Sequence, residues 1–143
     1  SIKLFIIGEK NSLFKKLDLE EHQNIQFLGR VSDEELVSYY NSALAFVYPT
    51  FYEGFGLPPL EAMSCGTAVI IAQTECLLEI CSNAALACDP YNIDDIKDKI
   101  QLVIKDVSLR EQLVALGLSH AKQFSWEKSG KEHMIVFEKV INQ

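Results

Sequence analysis

Apolar and polar positions fall in alternating blocks along the chain. Ile2-Lys3-Leu4-Phe5-Ile6-Ile7 is an apolar run closed by Gly8 and predicts a buried strand that starts almost at the first residue. A polar stretch with helical character follows to about Glu21, and Asn24 to Gly29 predicts a second strand, again closed by glycine. Ser32 with Glu35 three positions on is a capping-box pattern, and Leu36, Tyr39 and Tyr40 give the helix behind it an apolar face. Ala43 to Tyr48 predicts a third strand, ended by Pro49, Thr67 to Ala72 a fourth, and Ala84 to Cys88 a weaker fifth. From Asn92 onward strands give way to three amphipathic helices, one carrying Ile93, Ile96, Ile100 and Val103, one Leu109, Leu113 and Leu116, and one running from Trp126 to Ile141. These are expected to wrap the sheet edge. Short apolar strands alternating with helices predict an α/β fold, a parallel sheet with helices on both faces.

At 143 residues the chain is expected to form one domain over positions 1–143. It opens directly on a core strand, which suggests a part of something longer. A net charge of −7 without a basic run argues against nucleic acid as a partner. Cys65, Cys76, Cys81 and Cys88 form no Cys-x-x-Cys pair and have no histidine at ligand spacing, so no metal site is expected. His22, His120 and His133 are scattered singly and read as surface or partly packed residues. The apolar runs are far too short to cross a bilayer, and free thiols are in keeping with a cytoplasmic protein.

In a parallel α/β sheet, ligands bind beyond the carboxyl ends of the strands, where loops and helix N-termini converge. The loops at that edge are Gly8-Glu9, Gly29-Arg30-Val31, Pro49 to Leu57, Gln73 to Cys76, and Asp89-Pro90. The third is the richest. Pro58 and Pro59 suit a first helical turn, and Gly66 supplies a left-handed stop, so a short helix is expected from about Leu57 to Ser64. Gly54 and Gly56 let backbone approach a ligand, and the amides of Phe55, Gly56 and Leu57 are positioned to hold an anion such as a phosphate. Glu53 and Glu61 flank that cradle. Carboxylates there would repel a phosphate unless they accept hydrogen bonds from hydroxyls, which fits a sugar nucleotide. A glycine-rich turn with a solvated Glu53, and a Glu61 that serves only its helix, is the alternative the residues alone leave open. Neither a Walker A nor a Gly-x-Gly-x-x-Gly motif is present, which disfavours P-loop enzymes and dehydrogenases.

The run from Glu53 to Ile70, Glu53-Gly54-Phe55-Gly56-Leu57-Pro58-Pro59-Leu60-Glu61 and onward, closely resembles the Glu-x7-Glu signature of family 4 retaining glycosyltransferases of the group 1 type. Similarity extends to Ile6-Ile7-Gly8, Phe27-Leu28-Gly29-Arg30-Val31, Tyr39-Tyr40-Asn41-Ser42-Ala43, Asp89-Pro90-Tyr91-Asn92 and Phe124-Ser125-Trp126, and so covers nearly the whole chain. The resemblance implies the Rossmann-like, donor-binding C-terminal half of a GT-B enzyme. Glu53 would approach the donor sugar as the catalytic-site acid, in a positioning and electrostatic role rather than as a covalent nucleophile. Glu61 would hold the ribose hydroxyls, and Gly54, Phe55, Gly56 and Leu57 would face sugar and phosphates. Gly29, Arg30 and Val31 would line the base pocket, with Arg30 contributing through its backbone, and Gly8 would border the nucleotide. The implied reaction moves a sugar from a nucleoside diphosphate to an acceptor hydroxyl with retention, without a bound metal or other cofactor, in polysaccharide, lipopolysaccharide or glycolipid synthesis. A peripheral place at the membrane for the full-length protein is compatible with that resemblance.

Three departures from the family pattern bear on this. The Arg and Lys that clamp the diphosphate in relatives would lie before the strand matching Ile2 to Ile7, and the acceptor-binding N-terminal domain would also precede it. A chain without them is expected to bind donor weakly and to be inactive alone. In Gln73 to Ile80, Glu75 and Cys76 stand where relatives carry small residues, and the proline ahead of Glu79 is absent. Two other readings remain: a non-catalytic nucleotide-sugar-binding or partner-docking module, and an epimerase or phosphorylase of the same architecture. The last helix carries Met134, Phe137, Val140 and Ile141 on one side, and in complete relatives such a helix often crosses toward the N-terminal domain.

Overall fold

The computed structural model describes residues 2–8 and 23–142. The helix expected before Glu21, and His22, lie outside the described residues. The chain divides into two compact units, Ser1–Tyr39 and Tyr40–Gln143.

In the first unit β1 (Leu4–Ile7) pairs in parallel with β2 (Ile25–Gly29), with Leu4 opposite Ile25 and a register shift between Ile6 and Ile7. The strand read from Ile2 to Gly8 is therefore present but not buried. Leu4 is 50% exposed, and Phe5 and Ile7 are also open. Phe5 packs on Tyr39, ring centres 5.4 Å apart, and β1 has a hydrogen-bonded neighbour along one edge. An apolar run specifies a strand that is able to be covered, and what covers it is a long-range matter. Helix α1 (Asp33–Ser42) begins in this unit and ends in the second. Its capping box forms as the sequence predicts: the Ser32 amide donates to Glu35 Oε2 at 2.8 Å and the Glu35 amide to Ser32 Oγ at 3.2 Å.

The second unit is built on three parallel strands in the order β3 (Phe46–Tyr48), β4 (Val69–Ala72) and β5 (Leu86–Cys88). Between them lie α2 (Leu57–Ser64), α3 (Glu75–Cys81) and a 3-10 turn at Ser82–Ala84, and α4 (Ile93–Lys105), α5 (Val107–Ala121) and α6 (Trp126–Ile141) follow. All four residues of β4 are buried, so both of its faces are covered. Ala68, Ile70, Cys88, Val103 and Leu113 form one core cluster, joined by Val47, Leu86, Ile96, Ile100 and Leu109. Helices α4 and α5 thus pack on a face of the sheet and not on its edge, contrary to the sequence expectation. Val103 of α4 and Leu113 of α5 join Ile70 of the central strand in that cluster. Ile93 is a second correction: at the first turn of α4, ahead of the covered stretch, it is 82% exposed.

Arg110 ties α5 back to α4, its guanidinium donating to the carbonyls of Val103 at 2.8 Å and Ile104 at 3.2 Å, which satisfies two orphan acceptors at that helix end. The four cysteines are free thiols, with Cys81 and Cys88 buried. His120 Nε2 meets the Ile80 carbonyl at 2.7 Å and His133 bonds to its own helix at Ser129, the packed and surface roles expected of them. No group of potential metal ligands occurs among the described residues, and no helix there is long and apolar enough to cross a membrane.

Candidate functional site

The loop joining β3 to α2 leaves the carboxyl edge of the three-stranded sheet. Leu57 to Ser64 form the helix that Pro58, Pro59 and Gly66 predict. Its end is a Schellman stop: the Thr67 amide donates to Ala62 and the Gly66 amide to Met63, both at 3.0 Å, with Gly66 at φ 75°. Its start has no side-chain cap, and Gly56 occupies the N-cap position at φ 101°. A Cβ there would also sit 2.6 Å from Cδ2 of the fully buried Leu77 on α3. The positive φ calls for glycine, and a Cβ would in addition force the buried Leu77 methyl to shift.

Glu53 is the organising side chain of the loop. Its Oε2 accepts from the Tyr48 hydroxyl at 2.5 Å and its Oε1 from the Gly54 amide at 2.9 Å. These two donors, the tyrosine foremost, with help from the Phe55 amide, hold its carboxyl below the usual carboxylate range. Burial, the hydrogen bond to Glu53 and the charge of Glu53 together push the Tyr48 phenol up to about 12. The Glu53 carboxylate caps the loop through the amide of Gly54, one residue ahead of the three amides read from sequence as an anion cradle. Among the described residues the amides of Gly56 and Leu57 make no hydrogen bond outside the helix.

Glu61 is exposed on α2, and its Oε2 lies 3.5 Å from the hydroxyl of the buried Tyr40, a long contact. Burial is the main cause that raises the Tyr40 phenol, with the Glu61 charge second. Tyr40 meets Phe46 edge-on at 5.3 Å, and Phe46 stacks with Tyr48 at 5.7 Å. One row of rings therefore ends on one acid at each side. Tyr48 and Tyr40 were not singled out by the sequence as site residues; the available signal was a tyrosine as the last residue of the strand feeding the loop.

In the first unit, Gly8 and Gly29 end β1 and β2 at φ 136° and 70°, and the Gly8 amide donates to the Gly29 carbonyl at 2.9 Å. Arg30 is exposed and Val31 half-buried beside them. The structure thus brings Gly8 to Gly29, and Glu53 to Gly54 and Phe55. Of the departing residues after β4, Glu75 points to solvent, whereas the Cys76 thiol lies 3.4 Å from the Phe55 carbonyl and so belongs to the wall of the Glu53 loop. At the other end of the same sheet a shallow groove lies between Leu44, Ala68, Arg110, Val114 and Leu118, and none of the expected site residues lines it.

Residues 1–118 match the family described as glycosyl transferases group 1. The chain belongs to that family. Over 103 residues it is 50% identical to the O-antigen chain mannosyltransferase B of Escherichia coli, which covers 72% of this chain and 27% of the length of that enzyme. The C-terminal domain of the group 1 glycosyl transferase LpcC from Francisella tularensis is 30% identical over 70% of this chain and 53% of that one, with a TM-score of 0.62. HepE from Anabaena, solved in complex with UDP, shares 17% identity over 96% of this chain and 41% of that one, with a TM-score of 0.83. The likeness in fold bears out the Rossmann-like class, half of a GT-B architecture. The group 1 chain described here spans about a quarter of the length of the curated mannosyltransferase it matches.

Proposed function

We propose that this chain is the donor-binding part of a retaining glycosyltransferase that moves a hexose, mannose first among them, from a nucleoside diphosphate to an acceptor hydroxyl during cell-envelope polysaccharide assembly. The observation that carries the reading is the pair of acids tied to one aromatic row at the carboxyl edge of a parallel sheet. The name of the O-antigen mannosyltransferase supports the sugar and the process, and the UDP complex of HepE supports a nucleoside diphosphate as the leaving portion.

On this reading Glu61, exposed on α2, accepts from the ribose hydroxyls. The amides of Gly56 and Leu57 at the opening of α2 face the diphosphate, where partial positive charge at a helix start stabilises the departing anion. Glu53 carries a full negative charge at neutral pH, since its carboxyl is held below its ordinary range, and both of its oxygens already accept a hydrogen bond. Such a carboxylate is a weak base and a weak nucleophile. Its task is to orient the sugar and to stabilise the positive charge that develops at the anomeric carbon. The upstream cations, the acceptor domain and the acceptor complete the enzyme, with no resident metal in the mechanism.

Calorimetric titration of the chain with GDP, UDP, GDP-mannose and UDP-glucose tests the reading. At least one nucleotide should bind, and Glu61→Ala should weaken it about tenfold, the loss expected for hydrogen bonds to a charged acceptor. Unchanged affinity in Glu61→Ala would remove the ribose role, and no binding by any of the four would remove the donor reading.

A further inference from the structure

We propose that Tyr48 is a positioning residue of the Glu53 site: its hydroxyl holds the Glu53 carboxylate against the Gly54 amide, and the ring row Tyr48–Phe46–Tyr40 sets where the two acids of the loop and helix stand. The inference deepens the donor-site reading and rests on it for the identity of the ligand.

Three features carry it. Each Glu53 oxygen has its own donor, Tyr48 Oη at 2.5 Å and Gly54 N at 2.9 Å, so the carboxylate plane is fixed from two directions. The phenol that holds it is itself held, since Tyr48 and Phe46 stand two residues apart on β3, on one face, and stack with an interplanar angle of 23°. The far end of the row is anchored in the core. Tyr40 is buried, its ring meets Phe46 at 87°, and its carbonyl accepts from the buried Thr67 Oγ1 at 2.6 Å. Its hydroxyl then reaches toward Glu61. The titratable group that meets Glu53 among the described residues is Tyr48, with Tyr40 beyond Phe46 at the far end of the row.

Without the Tyr48 hydroxyl, Glu53 keeps the main-chain donor at Gly54, and its carboxylate is no longer fixed from two directions. A sugar that relies on the carboxylate then loses a fixed partner, while the nucleotide, which relies on Glu61 and the α2 amides, does not. The effect should fall on the sugar-dependent part of the affinity.

Tyr48→Phe keeps the ring and removes the hydroxyl. Two readouts are taken on it and on the unsubstituted chain: the carboxyl carbon titration of Glu53 by NMR, assigned with Glu53→Gln, and the affinities for GDP-mannose against GDP and UDP-glucose against UDP. The Glu53 titration should move to higher pH, and the nucleotide sugar should weaken about tenfold while the bare nucleotide stays within about twofold. A Glu53 titration that does not move overturns the proposal, as does equal weakening of sugar nucleotide and nucleotide, which would mark a merely structural role. If the unsubstituted chain binds none of the four ligands the donor reading fails, and the Glu53 titration still decides the claim for Tyr48.

Discussion

Helices α2 and α6 carry apolar residues at helical spacing in the sequence, yet they end in opposite environments. Helix α2 buries Pro59, Leu60, Ala62 and Met63, whereas α6 buries no residue, with Phe137 55% and Val140 67% exposed. The difference lies in what each can approach. Met63 lies where a Cβ on Gly117 of α5 would come within 3.1 Å of its Cγ, so a residue without a side chain lets the two helices close on each other. Glu127, Lys131, Lys128 and Glu132 of α6 instead pair along its own surface, Lys131 with Glu127 at 2.6 Å, and such exposed pairs add little. A periodic stripe shows which face is able to be covered. Only complementary shape elsewhere shows that it is.

That contrast can be broken in graded steps. Met63→Ala should cost about 2–5 kcal/mol of unfolding free energy in a denaturant titration, because it removes a fully buried side chain from the α2–α5 contact. A loss under about 1 kcal/mol would mean that the contact collapses freely. Gly56→Ala should cost about 1–3 kcal/mol, since the new methyl both strains a left-handed backbone and meets Leu77. Nucleotide binding should fall with it, because the opening of α2 must shift. Phe137→Ala on α6 should change the stability of this chain by no more than about 0.5 kcal/mol. A larger loss would show that α6 is packed in solution.

The smallest effect concerns pH. The folded Glu53 carboxyl titrates below its unfolded value, so what its contacts with Tyr48 and Gly54 contribute is complete above the ordinary carboxylate range and disappears as pH falls through the folded value. Tyr48→Phe should therefore flatten the acid limb of the stability profile slightly. An acid limb identical to that of the unsubstituted chain would contradict the assigned cause.

Much of this was legible in the sequence where the governing chemistry is local. The ends of α2 follow from Pro58, Pro59 and Gly66, and the start of α1 from Ser32 and Glu35, since caps and stops are settled within a few residues. The candidate residues Glu53, Gly54, Gly56 and Glu61 were legible as a motif. What was not legible depended on distant atoms: the exposure of β1, the exposed Ile93, and the placement of α4 and α5 on a sheet face. The Tyr48–Glu53 bond is close in sequence, but it crosses a turn whose geometry no periodicity encodes. The capping of the loop by the Glu53 carboxylate followed from that same turn.

On the proposed reading, ligand chemistry sits at the carboxyl edge of the β3–β4–β5 sheet. Amide chemical-shift mapping of the labelled chain during titration with GDP-mannose and UDP-glucose tests it most directly. Gly54, Phe55, Gly56 and Leu57 should shift first, with Glu61 following. Shifts confined to the groove between Leu44 and Leu118 at the amino ends of the strands would contradict it.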